Sequence, residues 1–208
     1  MDKDFIEALA DLKEEEVLSM VNEKIQAGED PHKILELCRE VMGIVGQRFQ
    51  DKEYFLPELI MAGEIVKDVM EIVLPKIQQD NVKFIGKVLI GTVAGDIHDI
   101  GKNIVIFMLK ANGFKVLDIG VDIQPEKFVE KIKEFQPDVI GLSGLLTLAF
   151  DSMKETIDEI KKAGLRDKVK IMVGGSQVDE EVARYAGANA YGEDASVAVS
   201  LCKKWLGV

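Results

Sequence analysis

Cysteine and histidine are scarce in this chain, and the scarcity limits its chemistry. Its two cysteines, Cys38 and Cys202, stand far apart and outside any Cys-x-x-Cys pair. They therefore suggest neither a disulfide framework nor a zinc site, and two buried thiols are expected. Two histidines, His32 and His98, leave few arrangements for imidazole chemistry. Positive charge is in deficit as well: 26 Lys and Arg face 37 Asp and Glu, for a formal net charge of −11. Without a segregated basic patch, such a surface repels a nucleic-acid backbone. There is no apolar run of about eighteen residues to span a bilayer, and Met1-Asp2-Lys3-Asp4-Phe5 lacks the basic start and apolar stretch of a secretory signal. A cytoplasmic protein with neither nucleic acid nor membrane as partner is the expectation.

What is present is an ordinary folding composition, 208 residues with 47% hydrophobic and 30% charged side chains. The acidity is uneven: residues 1–86 carry 19 acidic against 10 basic side chains, and the remainder 18 against 16. From Phe5 to Ile77 apolar residues recur at helical spacing. Val17, Met20, Val21 and Ile25 share one face, as do Ile34, Leu37, Cys38, Val41, Val45 and Phe49, and a third run extends from Leu59 to Met70. Gly28, Asp30 and Pro31 mark a helix end, an N-cap and a first helical position, and Pro57 opens another helix. The pattern predicts an up-and-down four-helix bundle over residues 1–84. The run Glu14-Glu15-Glu16 reads as a solvated helix face.

After a polar link the period changes. Short β-rich runs begin at Lys87 and recur at Val116–Ile119, Val139–Ser143, Val169–Val173 and Ala188–Gly192. Helical patterns lie between and after them: Ile100–Ala111, Glu126–Phe135, Ser152–Ala163, Glu180–Ala186 and Ser196–Leu206. Five such alternations predict an α/β domain over residues 85–208, a doubly wound five-stranded parallel sheet in the flavodoxin-like order. Ligands of such sheets sit beyond the carboxyl ends of the strands.

Those ends carry the unusual residues. The first strand runs into Gly95-Asp96-Ile97-His98-Asp99-Ile100-Gly101, which is neither a GxxxxGK[ST] phosphate loop nor a dinucleotide fingerprint. A metal-bound imidazole commonly donates its other N–H to a carboxylate, and Asp96 and His98 are spaced for that pairing. One histidine makes a poor zinc site, yet it suffices as the axial ligand of a metal already held by a macrocycle. The third strand ends in Ser143-Gly144-Leu145-Leu146-Thr147 and the fourth in Gly174-Gly175, both offering bare backbone for close approach of a bulky ligand.

Asp96-x-His98-x-x-Gly101, then Ser143-x-Leu145, then Gly174-Gly175 resembles the DxHxxG, SxL and GG pattern of cobalamin-binding domains. The stretch Phe49 to Leu59 resembles the cap segment of the cobalamin-binding module of methionine synthase and of small corrinoid proteins from methyltransferase systems. The likeness covers nearly the whole chain. It implies a cobalamin or related cobamide bound base-off, with His98 as lower axial ligand to cobalt and Asp96 accepting its other N–H. It further implies that Gly95, Asp99, Ile100 and Gly101 line the cofactor, and that Ser143, Leu145 and Thr147 surround the displaced base. Gly174 and Gly175 would leave room for the nucleotide tail, Tyr191, Gly192 and Ala195 would touch the corrin edge and tail, and Phe49, Leu56 and Leu59 would cover the upper face. A serine that completes a proton relay in methionine synthase is replaced here by Ala149.

The function so implied is a methyl carrier, a bound co-substrate rather than a free-standing enzyme. It would pass a methyl group from a substrate-specific methyltransferase to a second methyltransferase with a folate or thiol acceptor, with a reductive activator as a further partner. A ligating His98 favours the methylated state, and its release with a proton favours cobalt(I). The cap would have to swing away, with residues 78–86 as hinge. Two other readings stay open: a cobalamin-dependent sensor or regulator, for which no DNA-binding segment is evident, and the cobalamin-binding subunit of a mutase, against which the cap helices argue. Methanol, methylamines, methoxylated aromatics and quaternary amines all remain as donors.

Overall fold

The computed structural model describes residues 2–77 and 84–208. Residues 78–83 of the expected hinge lie outside the described residues. The chain divides into two compact units, one of Met1–Phe84 with Ala111–Gly113, the other of Ile85–Lys110 with Phe114–Val208.

The first unit contains α1 (Asp2–Ala10), α2 (Glu14–Gln26), α3 (Pro31–Gln50) and α4 (Leu56–Val73). α3 packs on α1 and α4, and α2 packs on the same two helices, so a four-helix unit forms as expected, but the consecutive helices α2 and α3 stand diagonally in it instead of side by side as a simple up-and-down order would place them. Capping follows the sequence: the Asp30 carboxylate accepts the His32 N–H at 2.9 Å with Pro31 as first residue of α3, and the Glu58 carboxylate accepts the Phe55 N–H at 2.9 Å ahead of α4. Phe5, Leu9, Val17, Val21, Ile34, Val41, Val45, Val66 and Val69 form the core, each contributing roughly 1.5–3 kcal/mol through burial. Glu14, Glu15 and Glu16 are solvated. α2 departs from expectation in one respect. Its buried face is Val17, Val21 and Lys24, while Met20 and Ile25 are only partly covered. Lys24 lies seven residues from Val17, two turns along the same stripe, and its buried ammonium is neutralised by Asp2 at 2.7 Å and Glu29 at 3.0 Å.

The second unit alternates β1 (Lys87–Thr92), α5 (Ile100–Ala111), β2 (Lys115–Asp118), α6 (Pro125–Phe135), β3 (Val139–Ser143), α7 (Ala149–Lys162), β4 (Lys170–Gly174), α8 (Glu180–Ala186), β5 (Ala190–Gly192) and α9 (Ala195–Leu206). All pairings are parallel, in the order β2-β1-β3-β4-β5, the flavodoxin-like order. One layer of core, with Leu89, Ile140, Leu142, Ile171 and Val173 against Phe128, Ile132, Met153, Ile157 and Ile160, joins the sheet to α6 and α7. α5 and α9 bury Met108, Leu109, Val199 and Cys202 outside that cluster, so helices flank both faces. α7 begins at Ala149 rather than Ser152. Ala149 is buried so tightly that a Cβ on Gly144 would stand 2.5 Å from its own.

Between β2 and β3 the winding direction reverses about β1, so the loops leaving β1 and β3 diverge from neighbouring strand ends and open a crevice. Among the described residues no helix is long and apolar enough to cross a membrane.

Candidate functional site

The last rung of the sheet ladder aligns Thr92 of β1 with Ser143 of β3, Ser143 with Gly174 of β4, and Gly174 with Gly192 of β5. Four strands, separated in sequence, thus meet in one row of small residues at the carboxyl edge. The turn after β4 binds the row to its neighbour: the Gly144 N–H donates to the Gly174 carbonyl at 3.1 Å, and a Cβ on Gly175 (φ 148°) would lie 1.8 Å from the Gly144 carbonyl oxygen. Only glycine fits there.

Asp96 is the centre of the site. It is fully buried, and one carboxylate oxygen accepts the His98 backbone N–H at 3.0 Å and faces His98 Nδ1 at 2.7 Å. The other accepts the N–H groups of Leu145 at 2.6 Å and Leu146 at 3.0 Å. Burial pushes the carboxyl up, but the N–H of Leu146, the backbone and ring of His98 and the N–H of Leu145 outweigh it and hold it at about 2. Asp96 is thus a carboxylate, and the His98 nitrogen facing it must be an N–H donor, so that in the neutral imidazole the lone pair is on Nε2. The His98 side chain is about half exposed, at 48%. Its backbone is fixed from below, where the buried Thr92 hydroxyl donates to the His98 carbonyl at 3.0 Å.

The other expected residues fall into distinct settings. Asp99 accepts from Asn103 through both backbone (2.8 Å) and side chain (3.2 Å), which ties it to the first turn of α5. Ile100 opens α5 almost fully exposed, and a Cβ on Gly101 would meet nothing within 4 Å. Ser143 is half-buried at the end of β3 and Thr147 is exposed. A Cβ on Gly174 would make only an ordinary contact, 3.4 Å from the Gly192 carbonyl oxygen. Tyr191 leans on the core cluster, because it alternates with Gly192 across the sheet. Ala195 is buried as the first residue of α9, whose cap is Asp194 accepting from Val197 at 2.8 Å. Within the first unit Phe49 is half-buried and Leu56 is exposed. Leu59 is 1% exposed, on the face of α4 that carries Val66 and Val69 into the bundle core. The apolar side chains that α4 and its lead-in leave exposed are Phe55, Leu56, Ile60 and Met61.

Sequence reasoning missed Thr92, Leu146, Asp122 and the buried Lys102, whose ammonium meets both carboxylate oxygens of Asp118 at 2.7 Å. For Lys102 a signal existed in its place beside the motif. For Leu146 and Asp122 the partners lie far along the chain, whereas the hydroxyl of Thr92 meets the backbone of His98 only six residues on.

The site suits a large ligand that brings its own metal. Among the described residues no three His, Cys, Asp or Glu side chains converge. Burial pushes the thiols of Cys38 and Cys202 up to about 12, so neither offers a thiolate. A single imidazole with a free Nε2 can complete a metal sphere otherwise filled by a macrocycle. Around it Ile97 and, at the start of α5, Ile100 stand exposed beside Leu146 and Leu148 of the loop joined to them at Asp96, an apolar seat that gains by being covered. Gly101 and Gly174 lack side chains that protein packing would allow, which is the space a bound group would take.

Comparison with known proteins gives the same answer. Residues 86–200 match a B12 binding domain, and residues 1–74 match a second B12 binding domain model. The trimethylamine corrinoid protein of Methanosarcina barkeri is 40% identical over 205 residues, covering 97% of this chain and 94% of the relative. Among solved structures, a cobalamin-binding protein from Desulfitobacterium hafniense DCB-2 superposes with a TM-score of 0.85 at 37% identity, over 99% of this chain and 98% of the other. The methanol:cobalamin methyltransferase complex of Methanosarcina barkeri contains a chain that matches with a TM-score of 0.85 at 26% identity, over 98% of this chain and 78% of that one.

Proposed function

The chain belongs to the B12-binding family, and from that membership we propose how it holds its cofactor and which donor it serves. It is a corrinoid protein of a methyltransferase system, a carrier of methyl groups. The cobalt of a corrinoid, when bound, supplies the chemistry by accepting and giving up the methyl group. The protein's own residues supply ligation, orientation and exclusion of water.

In this reading His98 would hold the cobalt through Nε2, in place of the cofactor's own base. Asp96 holds the proton on Nδ1 and fixes the ring. The four donors to its carboxylate keep it charged throughout, which raises the basicity of the ligating nitrogen. Ile97, Ile100, Leu146 and Leu148 take the apolar underside of the ring, and Gly95, Asp99 and Gly101 border it. Gly174, with Ser143 and Gly192 on the same rung, leaves the channel for the nucleotide tail, with Leu145, Thr147 and Ala195 around it, while Tyr191 backs the fifth strand from the core side. Gly175 serves through the turn. On the bundle, Leu56 presents apolar surface for the upper face, with Phe49 half-buried nearby in sequence; Leu59 supports that surface from within. The domain division at 84/85 corresponds to these two roles. The observation that carries the reading is the buried Asp96 carboxylate facing a half-exposed His98.

Its methyltransferase partners comprise a substrate-specific enzyme and a second one that moves the methyl group to a folate or thiol acceptor, with a reductive activator returning oxidised cofactor to service. A methylated amine is the donor class, supported by 40% identity to the trimethylamine corrinoid protein across nearly the whole chain. The test is anaerobic methylation of the loaded protein, followed by absorbance, with a trimethylamine methyltransferase or a methanol methyltransferase as donor enzyme. Methylation by the amine enzyme, abolished in His98→Ala, is expected. Methylation by the methanol enzyme alone would overturn the donor class.

A further inference from the structure

Asp122 stands in the loop between β2 and α6 and has no place in the motif. Its backbone is left-handed (φ 53°), a conformation uncommon outside glycine, and it is solvent-exposed. Neither property suggests a role until its bonds are traced. Its side-chain oxygen accepts the Gly95 N–H at 2.7 Å, and its own N–H donates to the Asp96 carbonyl at 2.9 Å. The two bonds bracket the segment Gly95–Asp96 from one residue. Gly95 is itself left-handed (φ 80°), so this segment lacks the repetitive bonding of a helix or strand and depends on such brackets.

The bracket is anchored in turn. The Gly120 N–H donates to Asp118 at 2.9 Å, and the buried Lys102 of α5 grips both oxygens of that carboxylate. The Gly120 carbonyl accepts from the Thr92 N–H and the Ile123 N–H donates to the Thr92 carbonyl, each at 3.0 Å. The loop bearing Asp122 is thereby fastened to the strand before the His98 turn and to the helix after it. Without the Asp122 carboxylate those fastenings would still hold the loop. What would be released is the Gly95 N–H alone, at the entrance to Asp96, whose backbone keeps its bonds to the Asp122 N–H at 2.9 Å and the Val93 carbonyl at 3.2 Å.

We propose that Asp122 is a positioning residue that sets the Asp96–His98 pair and so the strength of axial ligation by His98. The inference rests on the reading of His98 as axial ligand. His98 is half exposed, and among the described residues its ring is oriented only through the Asp96 carboxylate. A shift of the turn at Gly95 therefore reaches the imidazole through the Asp96 carboxylate. An aspartate satisfies both demands at this position, a short acceptor and tolerance of the left-handed region.

The experiment compares wild type, Asp122→Gly, Asp122→Asn and His98→Ala, each loaded with hydroxocobalamin and reduced to the cobalt(II) state. The readouts are the ratio of histidine-ligated to unligated cofactor from absorption and electron paramagnetic resonance, and the cobalt(II)/cobalt(I) potential. Asp122→Gly keeps the left-handed backbone and removes only the acceptor. It is expected to lower the ligated ratio ~10-fold, the scale of one charge-assisted hydrogen bond, and to raise the potential. Asp122→Asn retains an acceptor oxygen and is expected to restore the wild-type ratio. In the unloaded protein, exchange of the Gly95 amide should be slow in wild type and fast in Asp122→Gly. A ligated ratio and potential unchanged in Asp122→Gly, or a Gly95 amide that exchanges freely in wild type, would overturn the inference, and the second result does not require any variant to fold. Identical spectra for wild type and His98→Ala would instead overturn the ligand reading on which it rests.

Discussion

The two units bury charge for different ends. In the helical bundle, Lys24 is enclosed between Asp2 and Glu29, Lys33 reaches the same two carboxylates, and Arg48 joins Asp11, Tyr54 and the Ala10 carbonyl. These knots tie helix ends to one another. In the α/β unit the donors converge on one carboxylate, Asp96, and the convergence leaves one imidazole nitrogen unspent. The difference separates polar groups that hold a scaffold from polar groups that prepare a site. Substitutions in the two networks should therefore part company: one should move stability alone, the other cofactor binding as well.

The largest effect on folding is expected at Gly175→Ala. Its Cβ would collide with the Gly144 carbonyl, and neither backbone can yield without breaking the turn, so a loss of roughly 4 kcal/mol should appear in urea unfolding of the unloaded protein. Asp96→Ala comes next. It leaves the N–H groups of Leu145 and Leu146 buried without an acceptor, at a cost of about 2–3 kcal/mol, and removes the partner of His98, lowering corrinoid affinity ~10–100-fold. Equilibrium dialysis of Asp96→Ala at wild-type affinity would erase the distinction between the networks. Gly174→Ala sharpens it from the other side, since its Cβ meets only an ordinary contact. Its unfolding free energy should match wild type within about 1 kcal/mol, while corrinoid affinity falls because the new methyl occupies the seat.

The smallest effect belongs to Lys24→Met, and it is one of pH. The Lys24 and Lys33 ammonium groups hold the Asp2 carboxyl down at about 2, below its ordinary 3.8, and they lower Glu29 as well. A carboxyl whose folded-state pKa is depressed contributes stability that is complete above the ordinary value and disappears as the pH falls through the folded one. Wild-type stability should therefore decline between pH 4 and pH 2, and Lys24→Met should show a shallower decline with an unchanged corrinoid spectrum. An altered spectrum would mean that the bundle network reaches the site.

Much of this was legible in the sequence, for identifiable reasons. The alternation of periods gave both units and the sheet order, because parallel strands need long crossovers and five of them leave few topologies. Asp96, His98, Ser143 and Gly174 stood out because chemistry in such a sheet gathers at strand ends. Less legible were residues whose role depends on register. Tyr191 and Gly192 are neighbours in sequence but face opposite sides of the sheet. Leu56 and Leu59 are one helical turn apart, and only packing shows that Leu59 turns inward while Leu56 stays exposed. Lys24 was hidden by its charge: an apolar stripe admits a lysine only when carboxylates from other elements meet it. Asp122 was beyond reach, since its bond to Gly95 spans 27 residues and needs a left-handed backbone that no periodicity announces.

The central claim is that a nitrogen of this chain's own histidine binds the metal. The most direct measurement is electron paramagnetic resonance of the cobalt(II) corrinoid on protein grown with nitrogen-15 histidine. A ligating His98 predicts that each cobalt line splits into a doublet from the labelled nitrogen, and that the splitting vanishes in His98→Ala. A triplet that persists in the labelled protein would come from the cofactor's own base and would contradict the account.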